Sequence, residues 1–478
     1  GRLRSLFPKL ALRSLAVEPE KSSFPGLDYL TDTRRALSFT ACQLQRAKKG
    51  EDFSPLVLEV YRWLLDNRDK APGWSLFLGA PFYRNQVEHL TGDLVEKLYG
   101  SNLTASVSRL ETFASCPFRY FAQYGLGLEE RRIFQLDARG MGLFYHQFFK
   151  EFTDELQSRG LDWGKLKDAE LDQLVSEIVA GLSPRLQNEI LLSSARYRYL
   201  TGVLRQTLLL ATKVLAEHAR RGEFRPVAVE LAFGLEKGLP PWEIPLDRGR
   251  LLELRGRIDR LDLARKDNTL YLRVIDYKSS DRNLELTRVY HGLDLQLLTY
   301  LAVALEYGRQ WGAEGAEPGG VFYFPVQKPL LREDGPLDPE EIAQKIRKKL
   351  KMRGLILDDP GVARLMGAGG TSELVPASLN KDGTLSKRSK TLSRENWSLL
   401  QEFVGRRLAR LSKDIFQGVT DIAPYRLGTE TPCTYCSFTP LCCFDVLLEG
   451  CRYRILTREK DEKILYRIWR EVKEGETR

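Results

Sequence analysis

Apolar positions spaced three and four residues apart predict helices over most of the first hundred residues. In the segment FSPLVLEVYRWLLDN, the apolar side chains that follow this period are Leu56, Leu58, Val60, Tyr61 and Leu64. Residues 165–220 show the same period and predict two or three amphipathic helices. Ser108 followed by Glu111 is a capping-box pattern, which predicts the start of another helix there.

Alternating apolar and polar positions then replace the helical period. The run LLELRGRIDRLDLARKDNTLYLRVIDYKSS holds two alternating stretches around the turn RKDN, which predicts a β-hairpin. PVAVELAF and GGVFYFPVQ predict further strands, and residues 283–307 return to the helical period. Residues 365–392 are rich in Gly, Ser, Thr and Lys and predict a long exposed loop or hairpin. These elements indicate an α/β fold with a mostly helical N-terminal region.

Length and charge add a few limits. A chain of 478 residues predicts about two or three domains. Its 73 basic and 64 acidic side chains give a net charge of +9, which is compatible with a polyanionic partner. We expect no membrane span, since no apolar run approaches about 20 residues, and a cytoplasmic location, since the N-terminus lacks a signal-peptide core. The start at Gly1 predicts a processed product or a piece of a longer chain.

The second strand of the hairpin ends in a charged pair. Asp276 and Lys278 lie on the same face of that strand because side chains alternate along it. Across the hairpin, Gly256 and Asp259 form G-x-x-D, and the turn length predicts that Asp259 lies near Asp276. Two close carboxylates repel unless a cation lies between them, so the pattern favours a divalent metal, with Lys278 beside it to bind a phosphate or orient water. The alternative is an ordinary salt bridge.

Two further patterns are weaker when each is taken alone. Gln296 and Tyr300 are four residues apart, so they share one helix face on which an amide and a phenol could grip a phosphodiester. The alternative is a half-buried helix face. His146 lies between Phe144 and Phe148, where a histidine is a candidate metal ligand or an ordinary core residue.

Together these segments resemble the RecB-like branch of the PD-(D/E)XK nucleases. The segments that carry the resemblance are GLFYH (142–146), GRIDRLD (256–262), VIDYKSS (274–280) and QLLTY (296–300). The family fold is a mixed central sheet flanked by helices, and its activity is metal-dependent hydrolysis of DNA. The resemblance therefore predicts a nuclease core.

The resemblance also implies a role for each motif residue. Asp259 and Asp276 would hold Mg²⁺ together with the backbone carbonyl of Tyr277, and Lys278 would be the catalytic lysine. His146 would be a further metal ligand, which Mn²⁺ tolerates better than Mg²⁺ because Mg²⁺ prefers oxygen. The predicted metal site thus joins a helix to the hairpin.

The same resemblance extends to the substrate and to a third acidic residue. Gln296 and Tyr300 would steady the DNA strand. Glu230, in VAVELAF, would be the acidic residue that some members carry on the strand before the hairpin. A glutamate at a strand edge also has a purely structural interpretation, and the sequence leaves both open.

A cysteine cluster near the end of the chain predicts a second metal site. Cys433, Cys436 and Cys442 have the spacing C-x2-C-x5-C, and in a reducing compartment such a cluster favours metal ligands over disulfides. Spacing alone leaves zinc and iron–sulfur open. A subset of the family binds a 4Fe-4S cluster with one more cysteine in a CPF-x-YF segment, and this implies Cys116, in SCPFRYF, as the fourth ligand. Cys443 is the spare candidate.

The wider similarity is to the C-terminal half of the AddB family, the second subunits of bacterial AddAB helicase–nucleases. It rests on SRLETFASCPFRYFAQYGLGLEER, GLFYHQFFKEF, KMRGLIL and CTYCSFTPLC. It implies a helical remnant of the helicase-like part at 1–104, a nuclease domain closed by the iron–sulfur cluster at 105–450, and a helical tail at 451–478. The sequence has no G-x4-G-K-S/T, so we expect no ATP binding through such a loop.

The resemblance implies an Mg²⁺-dependent DNA exonuclease that acts on single-stranded DNA, specifically on the 5′-ended strand. It would work within a helicase–nuclease that serves double-strand break repair by recombination. Its partners would be an AddA-type helicase–nuclease subunit and the DNA strand emerging from an unwound duplex. One alternative is a catalytically inactive DNA-binding scaffold subunit, against which the presence of Asp259, Asp276 and Lys278 argues. The other is a stand-alone Cas4-like nuclease, which the length of the chain disfavours.

Overall fold

The computed structural model describes most of the chain: residues 30–48, 50–52, 55–67, 74–130, 136–185, 190–312, 315–332, 335–370 and 372–475, with Phe7 and Lys9. The chain forms two compact units. One comprises Gly1–Gln86 with Cys443–Arg452, and the other comprises Val87–Cys442 with Tyr453–Arg478. The domain boundaries expected from the sequence, near residues 104 and 450, stay a prediction.

The first unit is helical where it is described. Its helices are α1 (Thr33–Lys48), α2 (Pro55–Asp66) and α3 (Trp74–Gly79). Leu37, Leu64 and Leu78 form a small core between them. In α2 the buried residues are Val57 and Leu64, whereas Leu58 is 43% exposed. The helix prediction is therefore confirmed, but its apolar stripe is centred away from Leu58.

A mixed sheet forms the centre of the second unit. Its strands are β1 (Leu103–Ser106), β2 (Arg225–Phe233), β3 (Trp242–Pro245), β4 (Leu251–Lys266), β5 (Thr269–Lys278), β6 (Glu317–Pro325), β7 (Arg353–Leu357) and β8 (Thr391–Leu392). The order is β1-β4-β5-β6-β7-β8, and β2 and β3 also pair with β4. The predicted hairpin is β4–β5, and β5 continues into the sheet through parallel pairing with β6. The long strand β4 thus links both halves of the sheet.

Helices surround this sheet. In chain order they are α4 (Gly92–Tyr99), α5 (Val107–Ser115), α6 (Pro117–Tyr120), α7 (Ala138–Ser158), α8 (Asp168–Leu182), α9 (Ala195–Arg221), α10 (Leu286–Tyr290), α11 (Gln296–Glu306), α12 (Pro339–Lys349), α13 (Pro360–Leu365), α14 (Arg394–Phe416), α15 (Thr439–Cys442) and α16 (Asp461–Lys473). Two short strands, β9 (Tyr425–Leu427) and β10 (Arg454–Leu456), pair in parallel near the cysteine-rich segment. Among the described helices, none has the length and apolar character that a bilayer span requires.

Both faces of β5 are covered. Every residue from Tyr271 to Tyr277 is buried, including Arg273, which is 2% exposed. On one face Asp276 contacts Gln296 of α11, and on the other the ring of Tyr277 stacks on Phe149 of α7 at 4.2 Å. A strand buried on both faces has no side that faces solvent. Its alternate side chains therefore point into two different buried layers.

The start of α5 differs from the prediction. The residue that caps this helix is Ser106, whose hydroxyl accepts a hydrogen bond from the backbone N–H of Arg109 at 3.3 Å. Ser106 is extended and ends β1, so the helix begins at Val107, before the predicted cap at Ser108. The capping-box prediction was wrong, because Glu111 is hydrogen-bonded to another helix.

Residues 365–392 are more buried than their composition indicates. Leu374 and Val375 are 1% and 0% exposed, and Thr391–Leu392 joins the sheet as β8. The expected hairpin is present as an antiparallel bridge between Leu379 and Leu385. The hairpin tip and residues 369–370 match the predicted exposure, whereas the apolar residues between them anchor the segment to the core.

Candidate active site

Two buried carboxylates lie side by side on the β4–β5 hairpin. Arg260 pairs with Ile275, so Asp259 and Asp276 occupy the next position of the antiparallel ladder. Asp259 is 6% exposed and Asp276 is 1% exposed. The Oδ2 atom of Asp259 accepts a hydrogen bond from the backbone N–H of Tyr277 at 2.8 Å. The backbone of the hairpin therefore fixes the carboxylate of Asp259.

A histidine from a helix completes this acidic cluster. The Nδ1 atom of His146, on α7, lies 3.2 Å from Asp259 Oδ2 and 3.4 Å from Glu230 Oε1. One ligand atom from each of these three residues lies within 4.8 Å of the others. Mg²⁺ and Mn²⁺ both bind carboxylate oxygens, and Mn²⁺ also tolerates an imidazole nitrogen. The donor set therefore fits a divalent cation.

The electrostatics of the cluster also favour a cation. Burial lowers the pKa of His146, but hydrogen bonds to Asp259 and Glu230 and the charges of these carboxylates outweigh burial and raise the pKa to about 10. Burial and the charge of Asp259 raise the pKa of Asp276 to about 6, although Lys278 opposes the shift. In the metal-free protein the protonated imidazole thus supplies the positive charge that the carboxylates require.

Glu230 reaches the cluster through an unusual backbone conformation. Its φ is +47° inside β2, a region that residues other than glycine rarely adopt. Such a conformation costs on the order of 1–3 kcal/mol and is concentrated at functional sites. The second carboxylate oxygen, Oε2, lies 3.5 Å from Arg257 Nη1. The structure therefore places Glu230 within the cluster, where the sequence had left its role open.

Lys278 and the start of α11 contact the carboxylate of Asp276. The Nζ atom of Lys278 lies 2.5 Å from Asp276 Oδ2, and it donates to Gln296 Oε1 at 3.3 Å. Gln296 Nε2 donates to Asp276 Oδ1 at 2.9 Å and to the hydroxyl of Tyr300 at 3.1 Å. Tyr300 is 7% exposed. Gln296 is thus the member of this pair that borders the charged cluster, and Tyr300 supports it from behind.

Glu111 is a residue of the site region that sequence reasoning missed. Its Oε1 atom accepts hydrogen bonds from the backbone N–H groups of Leu295 at 2.7 Å and Gln296 at 3.1 Å. It therefore caps the N-terminus of α11, where negative charge is favourable. Burial and the charge of Asp294 raise the pKa of Glu111 to about 7, against Arg282 and the backbone hydrogen bonds. A cap from a distant helix leaves no local sequence pattern.

A buried ion triad underlies the two strands that carry the carboxylates. Arg260 Nε lies 2.7 Å from Asp262 Oδ1, and Arg273 Nε donates to Asp262 Oδ2 at 3.0 Å. All three side chains are at most 2% exposed. Removing one member of a buried set leaves an uncompensated charge, so the triad ties β4 and β5 together next to Asp259 and Asp276.

Cys116, the upstream cysteine of the predicted metal site, lies at the junction of α5 and α6. Burial raises the pKa of Cys116, whereas hydrogen bonds from the backbone N–H groups of Arg119 and Ala423 lower it, and the charge of Cys433 raises it. The charge of Cys436 likewise raises the pKa of Cys433, after burial as the main cause. The sulfurs of Cys116, Cys433 and Cys436 are thus close enough to influence one another electrostatically. Among the described residues, however, no three cysteine sulfurs lie within 4.8 Å of one another. Backbone N–H groups directed at a sulfur are a feature of thiolates that bind metal.

The remaining cysteines have different surroundings. Cys442, the last residue of α15, has its Sγ 3.7 Å from the carbonyl oxygen of Thr439. Cys443 is exposed and has a φ of +47°, and it falls in the first unit. Cys451 is buried, and its sulfur accepts a hydrogen bond from Asn85 Nδ2 at 3.3 Å. All seven cysteines lie within the described residues, and none of them forms a disulfide.

Comparisons with known proteins agree with this geometry. The model of the PD-(D/E)XK nuclease superfamily matches residues 104–443, and that of the fifth domain of the ATP-dependent helicase/deoxyribonuclease AddB matches residues 22–77. An ATP-dependent helicase/deoxyribonuclease subunit of Moorella thermoacetica is 47% identical over 461 residues, which cover 95% of this chain and 39% of that protein. The corresponding protein of Bacillus subtilis is 40% identical over 475 residues, which cover 98% of this chain and 41% of that protein.

The chain spans about two fifths of the length of the curated relatives it matches. The superfamily match, in contrast, covers more than half of the chain and includes every motif residue of the hairpin cluster. The predicted mixed sheet with flanking helices is confirmed, and so is the resemblance to AddB proteins. The chain belongs to the PD-(D/E)XK nuclease superfamily.

Proposed function

We propose that the chain is the nuclease part of a helicase–nuclease subunit and hydrolyses the phosphodiesters of single-stranded DNA with a divalent metal ion. The observation that carries this proposal is the convergence of His146, Glu230 and Asp259 beside the ion pair of Asp276 and Lys278. Five charged or ligating side chains from four separate elements meet at one end of the hairpin. A purely structural salt bridge would not require the histidine and the strained glutamate.

The metal would be held by His146, Asp259, Asp276 and the backbone carbonyl of Tyr277, with Glu230 adjacent. When bound, Mg²⁺ or Mn²⁺ would neutralise the negative charge that develops on the phosphate during in-line hydrolysis. His146 has to release its proton for Nδ1 to become a ligand, because both imidazole nitrogens are donors in the protonated form. The Tyr277 N–H keeps Asp259 oriented.

Lys278 is the residue that would contact the reacting phosphate. Asp276 and Gln296 hold its ammonium group from two sides, so the cation is fixed before substrate arrives. A preorganised ammonium at the edge of a buried carboxylate cluster can bind a non-bridging phosphate oxygen or orient a water molecule. Gln296, which Tyr300 supports, would steady the neighbouring part of the strand.

The names of the relatives support a proposal for the substrate and the partner. Proteins named as subunits of an ATP-dependent helicase/deoxyribonuclease match nearly the whole chain, so an AddA-type subunit would supply the single strand from an unwound duplex. We expect the substrate to be the 5′-ended strand. The reaction would serve double-strand break repair by recombination and take place in the cytoplasm. The net charge of +9 is compatible with a DNA partner.

A 4Fe-4S cluster would be held by Cys116, Cys433, Cys436 and Cys442. The burial of Cys116 and the N–H groups directed at it support a thiolate site, although thiolates also suit zinc. Iron analysis and the visible absorption spectrum of anaerobically purified protein distinguish the two metals.

The test of the nuclease proposal is cleavage of end-labelled single-stranded DNA. Wild-type protein should cut in Mg²⁺ or Mn²⁺ and not in EDTA, and Asp276→Ala should be inactive. Asp382→Ala, on the exposed hairpin tip, is the matched control and should cut like the wild type. If wild type binds DNA but does not cut it, the scaffold alternative is the better description.

A further inference from the structure

A cavity of about 320 Å³ lies within the second unit, between α5, α10 and the cysteine-rich segment. Among the side chains that line it are Glu111, Arg119, Arg288, Glu430, Thr431 and Tyr435. None of these residues belongs to the metal cluster described above. A volume of this size accommodates a small organic group rather than a few water molecules.

The cavity is connected to the start of α11. Glu111, in its wall, accepts the backbone N–H of Gln296 at 3.1 Å, and the side chain of Gln296 donates to Asp276 at 2.9 Å. Two hydrogen bonds and one side chain thus separate the cavity from the carboxylate cluster. Gln296, the first residue of α11, thus lies between the cavity wall and the carboxylate cluster.

Tyr435 presents an aromatic ring at the mouth of the cavity. Its side chain is 92% exposed, and it lies between Cys433 and Cys436 in a short helical turn, Pro432–Tyr435. The hydroxyl of Thr431 accepts the N–H of Cys433 and begins this turn. A large aromatic side chain exposed to solvent is suited to stack on a flat partner, as the aromatic platforms of single-strand-binding proteins do.

Two arginines, Arg119 and Arg288, bring positive charge to the cavity. The Nε atom of Arg119 is buried and makes no hydrogen bond among the residues that the structure describes. Arg288, by contrast, is engaged by Glu430 at 2.5 Å. A buried donor without a partner is costly, and a guanidinium fits a phosphate group well. Arg119 and Tyr435 both line the cavity, and a guanidinium and an aromatic ring suit the phosphate and the base of a nucleotide.

We propose that this cavity is a nucleotide-binding subsite for the DNA strand that reaches the metal site, with Tyr435 stacking on a base and Arg119 contacting a phosphate. The proposal rests on the proposed nuclease function and adds the path of the strand. The subsite gives the cysteine-rich segment a direct contact with substrate, since the segment carries the ring between two of its cysteines.

The test uses the whole chain and single-stranded oligonucleotides in Ca²⁺, with 2-aminopurine placed at successive positions. Stacking quenches this fluorescent base, so wild type should quench it at one or two adjacent positions. Tyr435→Ala should abolish that quenching and weaken binding about tenfold, the order of one stacked base. Tyr435→Phe should retain both, and Tyr199→Ala, at another exposed tyrosine, should behave like the wild type.

Arg119→Met provides a second measurement. It should weaken binding and reduce the slope of log Kd against log salt by about one, which is the effect of one lost phosphate contact. Unchanged binding, quenching and salt slope in both variants would overturn the subsite. The nuclease proposal still holds after that result if wild type cuts DNA and Asp276→Ala does not. If wild type binds no DNA, both proposals are wrong.

Discussion

Metal binding should release one proton from His146, and this can be measured as a function of pH. The metal-free protein holds this imidazole between two carboxylates with its pKa raised from 6.5 to about 10. At pH 7 it is therefore protonated, and its Nδ1 can serve as a ligand only after the proton leaves. Mn²⁺ is the best probe because it tolerates nitrogen ligands.

The expected magnitude follows from the pKa. Below pH 10, each unit of pH changes the fraction of neutral imidazole tenfold, so the Kd for Mn²⁺ should fall about 100-fold between pH 7 and pH 9. This corresponds to about 2.7 kcal/mol at about 1.36 kcal/mol per pH unit. Asp276, with a pKa of about 6, is already ionised over most of this range and adds little to the slope.

Isothermal titration calorimetry in two buffers with different ionisation enthalpies gives the number of protons released. Wild type should release about one proton per Mn²⁺ at pH 7.5. His146→Gln should bind Mn²⁺ more weakly at high pH and release almost none. If wild type releases no proton, or if His146→Gln keeps the pH slope, His146 is not a metal ligand.

Three further changes test other parts of the structure. Glu111→Ala removes the cap of α11, so the free energy of unfolding should fall by about 1 kcal/mol and KM for DNA should rise; an unchanged KM would contradict the role of this cap. Asp262→Asn leaves two buried arginines with a neutral partner, so urea unfolding should show a loss of about 3 kcal/mol, and a neutral effect would exclude the triad as a support. Cys116→Ser should lose the bound iron and Cys443→Ser should keep it; equal iron in both would refute the ligand assignment.

The pH dependence of stability gives an independent check of the same cluster. The folded-state pKa of His146 lies above its ordinary value of 6.5, so its contribution to stability is fully present below pH 6.5 and is lost as the pH rises through 10. The metal-free protein should therefore become less stable between pH 7 and pH 10. Saturating Mg²⁺ should reduce this loss, since the metal replaces the proton.

The hairpin and its acidic pair could be predicted from the sequence because their geometry is local. Alternation along β5 places Asp276 and Lys278 on one face, and the short connection at Asp267 sets the register that brings Asp259 alongside. His146 came only from a family resemblance, since nothing in the pattern of a phenylalanine-rich helix separates a ligand from a core residue.

The supporting residues could not be predicted, because their roles depend on which helices cover the sheet. Arg260 and Arg273 alternate with apolar residues, a pattern that predicts solvent exposure. Both are buried, because the face of β4 and β5 that carries them is covered as well. Glu111 fits a local capping pattern. The helix that it caps, however, starts at Gln296, 185 residues further along the chain. The left-handed backbone at Glu230 has no signature in a strand-forming sequence.

The most decisive measurement is the position of Mn²⁺ in crystals of the chain, located by anomalous scattering. A single strong peak at bonding distance, about 2.1 Å, from carboxylate oxygens of Asp259 and Asp276 and from a ring nitrogen of His146 is the expected result. A peak elsewhere, or none at this cluster when Mn²⁺ supports DNA cleavage, would show that the hairpin is not the catalytic metal site.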